Sequence, residues 1–373
     1  MTRWIAPGGA VLGSLLLCGC SAVGMPEPAC RPLEVAEFPL LGGIRGTWMD
    51  DQRFVLTDLH QSRLLVYSTS EGLVRVVNGW ETEDLALNFV SPMDVEPWGR
   101  GYVLADSDVS RPDRLLELGR DLRPRQLLWE GDIRRVADGW SGKELFNVGE
   151  LVAWRSRLYV RGGRRSGPQD ANREYAEFGS EPVAGRGSGA LRETSAWPGY
   201  TGELDAGGMA FSHLAAVSAS DHSVFALRYS PAVFIQELVG EGRSLKAFPE
   251  LPTPLPTLPQ ASQDRMAEFY AALEASSYPA GLYGDEDSLY VLMRDATSGA
   301  PVWDLHRIDP RRDEVIGKVR LPTKAAHVSL LPGRRYWVLE EASSGLEGLF
   351  RPPVRFLLLS SAALRAGEVP SCD

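Results

Sequence analysis

Short apolar stretches separated by polar turns recur along the whole chain, and they have the length of β-strands. Each combines aromatic and branched residues, and each follows another apolar stretch across a short polar turn. The clearest examples are FVLTD (54–58), YVLAD (102–106), LYVRG (158–162), VFALR (224–228), LYVLMRD (289–295) and YWVLEE (336–341). The pattern predicts an all-β protein with very little helix.

These six stretches also mark an internal repeat. Their aromatic anchors are Phe54, Tyr102, Tyr159, Phe225, Tyr290 and Trp337, at spacings of 48, 57, 66, 65 and 47 residues. Most units continue into a third strand and several into a fourth. The repeat therefore predicts a six-bladed β-propeller of four-stranded antiparallel blades, formed by a single domain over 33–373. The competing fold is a pair of β-sandwich domains, which we disfavour because no linker divides the six units into two groups.

Two segments interrupt the repeat. Residues 162–208 form a glycine-rich, charged insertion that carries Tyr175, Trp197 and Tyr200, and its length predicts either a lid or partner-binding loop or a disordered segment. Residues 249–277 combine a proline-rich linker (249–259) with a helical pattern, SQDRMAEFYAALEAS (262–276). We expect this second insertion to contribute one short surface helix.

The N-terminus has the layout of a secretory signal peptide, with Arg3 followed by an apolar stretch from Trp4 to Leu17. Its end, Leu17-Cys18-Gly19-Cys20, resembles the lipobox of bacterial lipoproteins. The resemblance implies removal of residues 1–19 and lipidation of Cys20, including palmitate, so that 20–32 becomes a tether. It also implies a cell-envelope location, with Ser21 favouring the outer membrane and the protein facing the periplasm or the surface. The alternative is an ordinary signal peptide cut elsewhere.

Cleavage before Cys20 would leave two other cysteines, Cys30 and Cys372. Outside the cytoplasm such a pair is expected to form a disulfide, provided that the fold brings the two Cα atoms within about 7 Å. A propeller does this if its last blade is completed by an N-terminal strand. LEVAEFPLL (33–41) is a candidate for that strand, pairing with VRFLLLS (354–360).

Two units carry a further motif. FVLTDLHQSRLLVYS and YVLADSDVSRPDRLLELG resemble the core of NHL-type and TolB-type six-bladed propellers, in which an aspartate ends one strand and an arginine opens the next. Asp58 with Arg63 and Asp106 with Arg114 match this pattern, and the other four units depart from it. The resemblance supports the fold class and assigns no subfamily.

The positions equivalent to Asp58 are candidates for a ligand-binding face, since ligands usually approach propellers where the second strand leads into the third. Alignment of the units gives Asp58, Asp106, Arg161, Arg228, Arg294 and Glu341, with Glu340 beside the last. The ring of charges would suit a zwitterionic or anionic ligand. The other interpretation, which we favour, is ion pairing between blades that stabilises the rim.

Charge and motif content argue against several classes of function. A net charge of −10 argues against nucleic-acid partners. The five histidines show no metal-binding spacing, and no G-x-S-x-G motif is present. Asp106-Ser107-Asp108 resembles only the start of a calcium loop, because Arg111 stands where an EF-hand requires glycine. We therefore predict no metal and no cofactor, with calcium the one open option.

The resulting hypothesis is a non-enzymatic, monomeric propeller, held at the membrane by its lipid anchor, that binds an unknown protein or small molecule. The alternative is a metal-dependent propeller hydrolase or lactonase with its site at the central channel. Its candidate ligands are Asp58, Asp106, Asn147 and Glu341. Fold alone does not decide between these functions.

Overall fold

Strands account for nearly all the regular structure in a computed structural model of the chain. The structure describes residues 28–33, 44–59, 61–108, 111–131, 133–135, 141–143, 145–154, 157–164, 174–180, 192–195, 213–217, 223–229, 233–238, 243–245, 271–272, 274–342, 355–370 and 372. The signal peptide and most of the tether predicted from the sequence lie outside these residues.

The described strands form six four-stranded antiparallel sheets and one two-stranded sheet. The first strand of the chain is β1 (Cys30–Leu33). Blade 1 contains β2 (Gly46–Trp48), β3 (Arg53–Asp58), β4 (Arg63–Ser68) and β5 (Gly72–Asn78). Blade 2 contains β6 (Pro92–Trp98), β7 (Gly101–Asp106), β8 (Arg114–Leu118) and β9 (Pro124–Glu130). The two-stranded sheet follows, with β10 (Ile133–Arg135) and β11 (Ser141–Lys143).

The remaining blades continue in chain order. Blade 3 contains β12 (Leu145–Trp154), β13 (Arg157–Arg164), β14 (Glu174–Ser180) and β15 (Arg192–Ser195). Blade 4 contains β16 (His213–Val217), β17 (Ser223–Tyr229), β18 (Val233–Glu237) and β19 (Ser244–Leu245). Blade 5 contains β20 (Tyr278–Gly284), β21 (Leu289–Asp295), β22 (Val302–Asp309) and β23 (Glu314–Arg320). Blade 6 contains β24 (His327–Leu331), β25 (Tyr336–Ala342), β26 (Arg355–Ser360) and β1.

Apolar cores between successive blades hold the ring together. Each core joins residues of two neighbours, for example Leu64 with Leu104, Val103 with Leu151, Tyr159 with Val224, Leu227 with Leu282, Tyr290 with Trp337, and Phe54 with Phe356. The last of these joins blade 6 to blade 1. The six aromatic anchors are all buried, at 9% exposure or less. The predicted propeller of four-stranded antiparallel blades is therefore confirmed as the fold class.

The chain ends meet in blade 6. Strand β1 pairs antiparallel with β26, with Cys30 opposite Leu359 and Leu33 opposite Phe356. Cys30 and Cys372 form a disulfide with 4.8 Å between their Cα atoms, which confirms the predicted bond. In the loop-entropy relation, a loop of some 340 residues corresponds to a contribution of about 6 kcal/mol.

Two predicted boundaries are wrong. The strand that pairs with β26 covers Cys30–Leu33 rather than 33–41, because the disulfide fixes Cys30 beside the end of β26, and residues 34–43 lie outside the described part. The segment 162–208 is also not one structureless loop. It contains the end of β13 and the third and fourth strands of blade 3, β14 and β15.

Helices are few in the described residues. The predicted helix 262–276 is represented by its last turn, where the Ala275 amide donates to the Ala271 carbonyl at 3.1 Å. A helix that the sequence analysis missed, α1 (Ser361–Ala366), follows β26. Ser360 caps its N-terminus and Gly367, at φ 78°, its C-terminus, which are ordinary helix-end signals. No helix among these residues is long and apolar enough to cross a membrane.

Candidate functional site

The two aspartates of the NHL-like pattern are held by arginines of their own blades. Asp58 is fully buried at the end of β3, and its carboxylate accepts from Arg63 at 2.7 Å. Asp106 ends β7 in the same way, pairs with Arg114, and accepts from the Val90 and Ser91 amides at 2.9 and 2.7 Å. These carboxylates fix the loops between the second and third strands and have little capacity left for a ligand.

Most other residues of the predicted face are also engaged within their own blade or the segment that leads into it. Arg161 pairs with Glu150 at 2.9 Å and Glu341 with Arg355 at 3.6 Å, each across neighbouring strands. Arg294 is buried and donates to the Ser276 and Glu274 carbonyls at 2.6 and 2.7 Å. Arg228 lies on β17, but its side chain is outside the described part. These pairs join strands of one blade, whereas the interpretation from the sequence expected ion pairs between different blades.

The centre of the ring contains a channel of about 340 Å³. All six first strands contribute to its wall, namely β2, β6, β12, β16, β20 and β24. Much of the wall is apolar, including Val152, Ala216, Leu282 and Leu330, and Trp154 lies at the end of β12. A cavity of this size is at the lower end of the range for small-molecule sites.

Charged side chains line one side of this channel. They are Arg45, which directly precedes β2, Asp94 and Glu96 on β6, and Glu150 on β12. Arg45 reaches from blade 1 to Glu150 of blade 3 at 3.2 Å, and so bridges two blades that are not neighbours in the ring. Asp94 accepts from the Leu151 amide at 2.8 Å and from the Val95 amide at 2.9 Å.

Burial and mutual repulsion shift the pKa values of the charged side chains in the channel. Burial raises the pKa of Asp94 to about 7, although Arg45 and two amide donors oppose the shift. Burial also raises the pKa of Glu96 well above its usual range, and the nearby Asp94 and Glu150 add to this. Burial lowers the pKa of Arg45, but Glu150 and Asp94 outweigh it, so that this pKa is raised overall. The channel therefore holds more carboxylate than its single arginine matches.

Glu340 is a further buried acid close to the channel wall. It lies on β25, at 3% exposure, and accepts from the Ser329 hydroxyl at 2.5 Å. Ser329 lines the channel and in turn accepts from the Ile44 amide at 2.8 Å. Burial raises the pKa of Glu340 to about 7. Tyr283 also lines the channel, and its hydroxyl accepts from the Leu330 amide at 3.2 Å.

Sequence reasoning missed this site because it aligned the second strands of the blades, whereas the first strands form the wall. The available signal was charge within apolar strand runs, in SPMDVEPW (91–98) and ELVAW (150–154). An acid at such a position is rare unless it has a partner or a function.

The ligand set of the hydrolase alternative is not brought together in the described residues. Asp58 and Asp106 are bound to arginines of two different blades, Glu341 is in blade 6, and the side chain of Asn147 lies outside the described part. Within the described ranges, no group of three or more His, Cys, Asp or Glu side chains is placed to hold a metal ion. The carboxylate of the calcium-like run at Asp106 is occupied by Arg114 and two amides.

No protein-family model and no curated protein matches the sequence. In fold, the chain is similar to a solved member of the DUF4221 family from Bacteroides vulgatus, at 11% identity and a TM-score of 0.53 over 90% of this chain and 96% of that chain. A streptogramin B lyase structure aligns at 12% identity and a TM-score of 0.46, over 89% and 97%. The WD40 repeats of RRP9 align at 11% identity and 0.46, over 89% and 97%. At these identities the likeness concerns the fold alone.

Proposed function

We propose that this chain is a lipid-anchored protein of the bacterial envelope whose propeller binds a ligand in its central channel and performs no catalysis. The observation that carries the binding role is the channel itself, which combines about 340 Å³ of space with a wall of mixed polarity, apolar strand residues lying beside a group of charged side chains. A concave site of this volume with a small number of charged groups is large enough for a small molecule.

The envelope location is supported by two features of the chain. The run Leu17-Cys18-Gly19-Cys20 has the spacing of a lipobox at the end of an apolar stretch. The disulfide between Cys30 and Cys372 is of the kind that persists in oxidising compartments such as the periplasm. Both features fit export, with Cys20 as the lipidated residue.

The position of the disulfide also supports an orientation. Nine residues separate Cys20 from Cys30, so the anchor is at most about 35 Å from the disulfide when this segment is fully extended. Cys30 lies beside Leu359, near the end of β26, whereas Glu341 and Arg355 lie at the opposite end of blade 6. The loops that follow Asp58 and Asp106 belong to that opposite end, and would face away from the membrane.

Metabolic labelling with a palmitate analogue tests the anchor. We expect label on the wild-type protein and none on Cys20→Ala, with Cys372→Ala as a control that keeps the label. Label retained by Cys20→Ala would contradict the proposed lipidation.

Filling the channel tests the binding role. Ala153 lines the channel on β12, so Ala153→Phe should displace a ligand, whereas Val76→Phe on the outer strand β5 enlarges an exposed residue and serves as the control. We expect a small molecule to co-purify with wild type and Val76→Phe from envelope extract and to be missing from Ala153→Phe in native mass spectrometry. The same ligand on folded Ala153→Phe would contradict a site in the channel.

A further inference from the structure

The carboxylates of the channel differ in the hydrogen-bond and ion-pair donors that the protein supplies to them. Glu150 receives Arg45 at 3.2 Å on one oxygen and Arg161 at 2.9 Å on the other. Asp94 receives two backbone amides and lies within the field of Arg45. Both acids therefore have donors from the protein itself.

Glu96 is different. It lines the channel, half-buried, and has no hydrogen-bond or ion-pair partner among the residues that the structure describes. Asp94 and Glu150, which line the same channel, carry the same charge and repel it. A carboxylate that is partly removed from water without a partner is unfavourable, and no side chain among the described residues neutralises this one.

Arg45, the one cation of the channel wall among the described residues, cannot fill this role. Arg45 is already held by Glu150, and its charge is shared with Asp94. An anionic ligand would have to compete with Glu150 for Arg45 and would meet Glu96 as a repelling charge. The charge pattern in the channel is therefore opposed to the zwitterionic or anionic ligand that the sequence suggested for the neighbouring face.

The remaining wall indicates what kind of cation fits. A hard metal ion such as Ca²⁺ requires six to eight converging oxygen ligands, and no such cluster occurs in the described ranges. The wall beside the acids instead offers aliphatic side chains and the aromatic residues Trp154 and Tyr283. Apolar and aromatic side chains beside a carboxylate that has no donor of its own are suited to an organic ammonium or guanidinium group that carries a small apolar body.

We propose that the channel binds a small organic cation, a protonated amine or guanidinium, whose charge is met by Glu96 and whose apolar part packs against the channel wall. This inference rests on the proposed function, because it names the ligand class of the same channel. It assigns Glu96 as the specificity-determining residue.

The test uses the full-length lipidated protein in detergent and 2-phenylethylamine as the probe, with 2-phenylethanol as its neutral counterpart. Isothermal titration at pH 8 should show the amine binding at least tenfold more tightly than the alcohol. Glu96→Gln, which keeps the shape and removes the charge, should weaken amine binding at least tenfold and leave binding of the alcohol unchanged.

Two further variants serve as controls. Glu314→Gln changes an exposed acid on the outer strand β23 and should bind the amine as wild type does. Ala153→Phe should abolish amine binding by filling the channel, and so provides a second test that does not depend on Glu96→Gln being folded. Calcium chloride and potassium chloride, titrated separately, should give no binding that Glu96→Gln removes.

Several results would overturn the inference. They are equal affinity for the amine and the alcohol, no binding of the amine, unchanged binding to Glu96→Gln, or a calcium site lost in that variant. If the native ligand is still displaced by Ala153→Phe in any of these cases, the proposed function stands and only the ligand class is wrong. If Ala153→Phe affects neither the native ligand nor the amine, both proposals fail.

Discussion

The loops after β3 and β7 and the wall of the channel both contain buried carboxylates, but they differ in what surrounds them. Asp58 and Asp106 each have an arginine of the same blade, Arg63 and Arg114, within ion-pair distance. In the channel, Glu96 has no such partner among the described residues. The paired aspartates stabilise their loops, whereas Glu96 leaves a negative charge that a ligand could neutralise.

The comparison shows that burial of an acid does not by itself mark a functional site. Asp58, at 0% exposure, is more buried than any acid of the channel and yet is structural. What distinguishes the channel is the excess of carboxylate over arginine, together with space beside it.

The largest effect is expected when a paired loop acid loses its arginine. Arg114→Met leaves Asp106 buried without a cation and removes the donors to the Ala86 and Asn88 carbonyls. We expect a loss of about 3–5 kcal/mol in the free energy of unfolding, measured by urea denaturation. Arg53→Met is the control, because its pair with Asp50 is exposed and is worth about 1 kcal/mol or less. Equal losses in the two variants would contradict the structural role of the loop pair.

Arg45→Met should have a smaller effect, because Glu150 keeps its second partner, Arg161, at 2.9 Å. We expect a loss of about 1–3 kcal/mol, the usual cost of leaving a buried group less well satisfied. Urea denaturation beside Arg114→Met measures the difference directly. A loss as large as that of Arg114→Met would show that the channel acids depend on Arg45 as strongly as the loop acids depend on their arginines.

The acids near pKa 7 should make stability depend on pH. In the folded state Glu340 and Asp94 have pKa values of about 7, above the ordinary values of 4.5 and 3.8. The stability that they contribute is complete below about pH 4 and is lost as pH rises towards 7, because the unfolded chain releases these protons first.

Glu340→Gln isolates this effect, since an amide still accepts from Ser329 and does not titrate in this range. Relative to wild type, we expect the variant to become more stable by roughly 3 kcal/mol between pH 4.5 and 8. Urea denaturation across this range is the measurement. A difference between the two proteins that does not change with pH would contradict the raised pKa of Glu340.

The fold was largely predictable from local pattern, for a physical reason. Anchors such as Tyr290 and Trp337 pack between blades, so every blade repeats the same apolar run. Blade 3 was harder to interpret because its third strand, Glu174–Ser180, carries glycine and two glutamates and resembles a loop. The disulfide was predictable because the chain has few cysteines and two of them flank the propeller.

The site was not predictable in the same way. Whether a buried acid has an ion-pair partner depends on residues that are far apart in sequence. Arg45 and Glu150, for example, are 3.2 Å apart in space. Asp58 with Arg63 could be recognised because the two lie on adjacent strands of a hairpin. No local pattern distinguishes Glu96 from other acids of the first strands.

The most direct test of the central claim is the free energy of unfolding of Glu96→Gln beside Asp58→Asn, at pH 8 and without added amine. Removing the unmatched charge of the half-buried Glu96 should stabilise the ligand-free protein, by about 1 kcal/mol, whereas Asp58→Asn should destabilise it because Arg63 loses its carboxylate. Opposite signs are the predicted result. If Glu96→Gln destabilises the protein as Asp58→Asn does, Glu96 is a matched structural acid and the channel has no charge to offer a ligand.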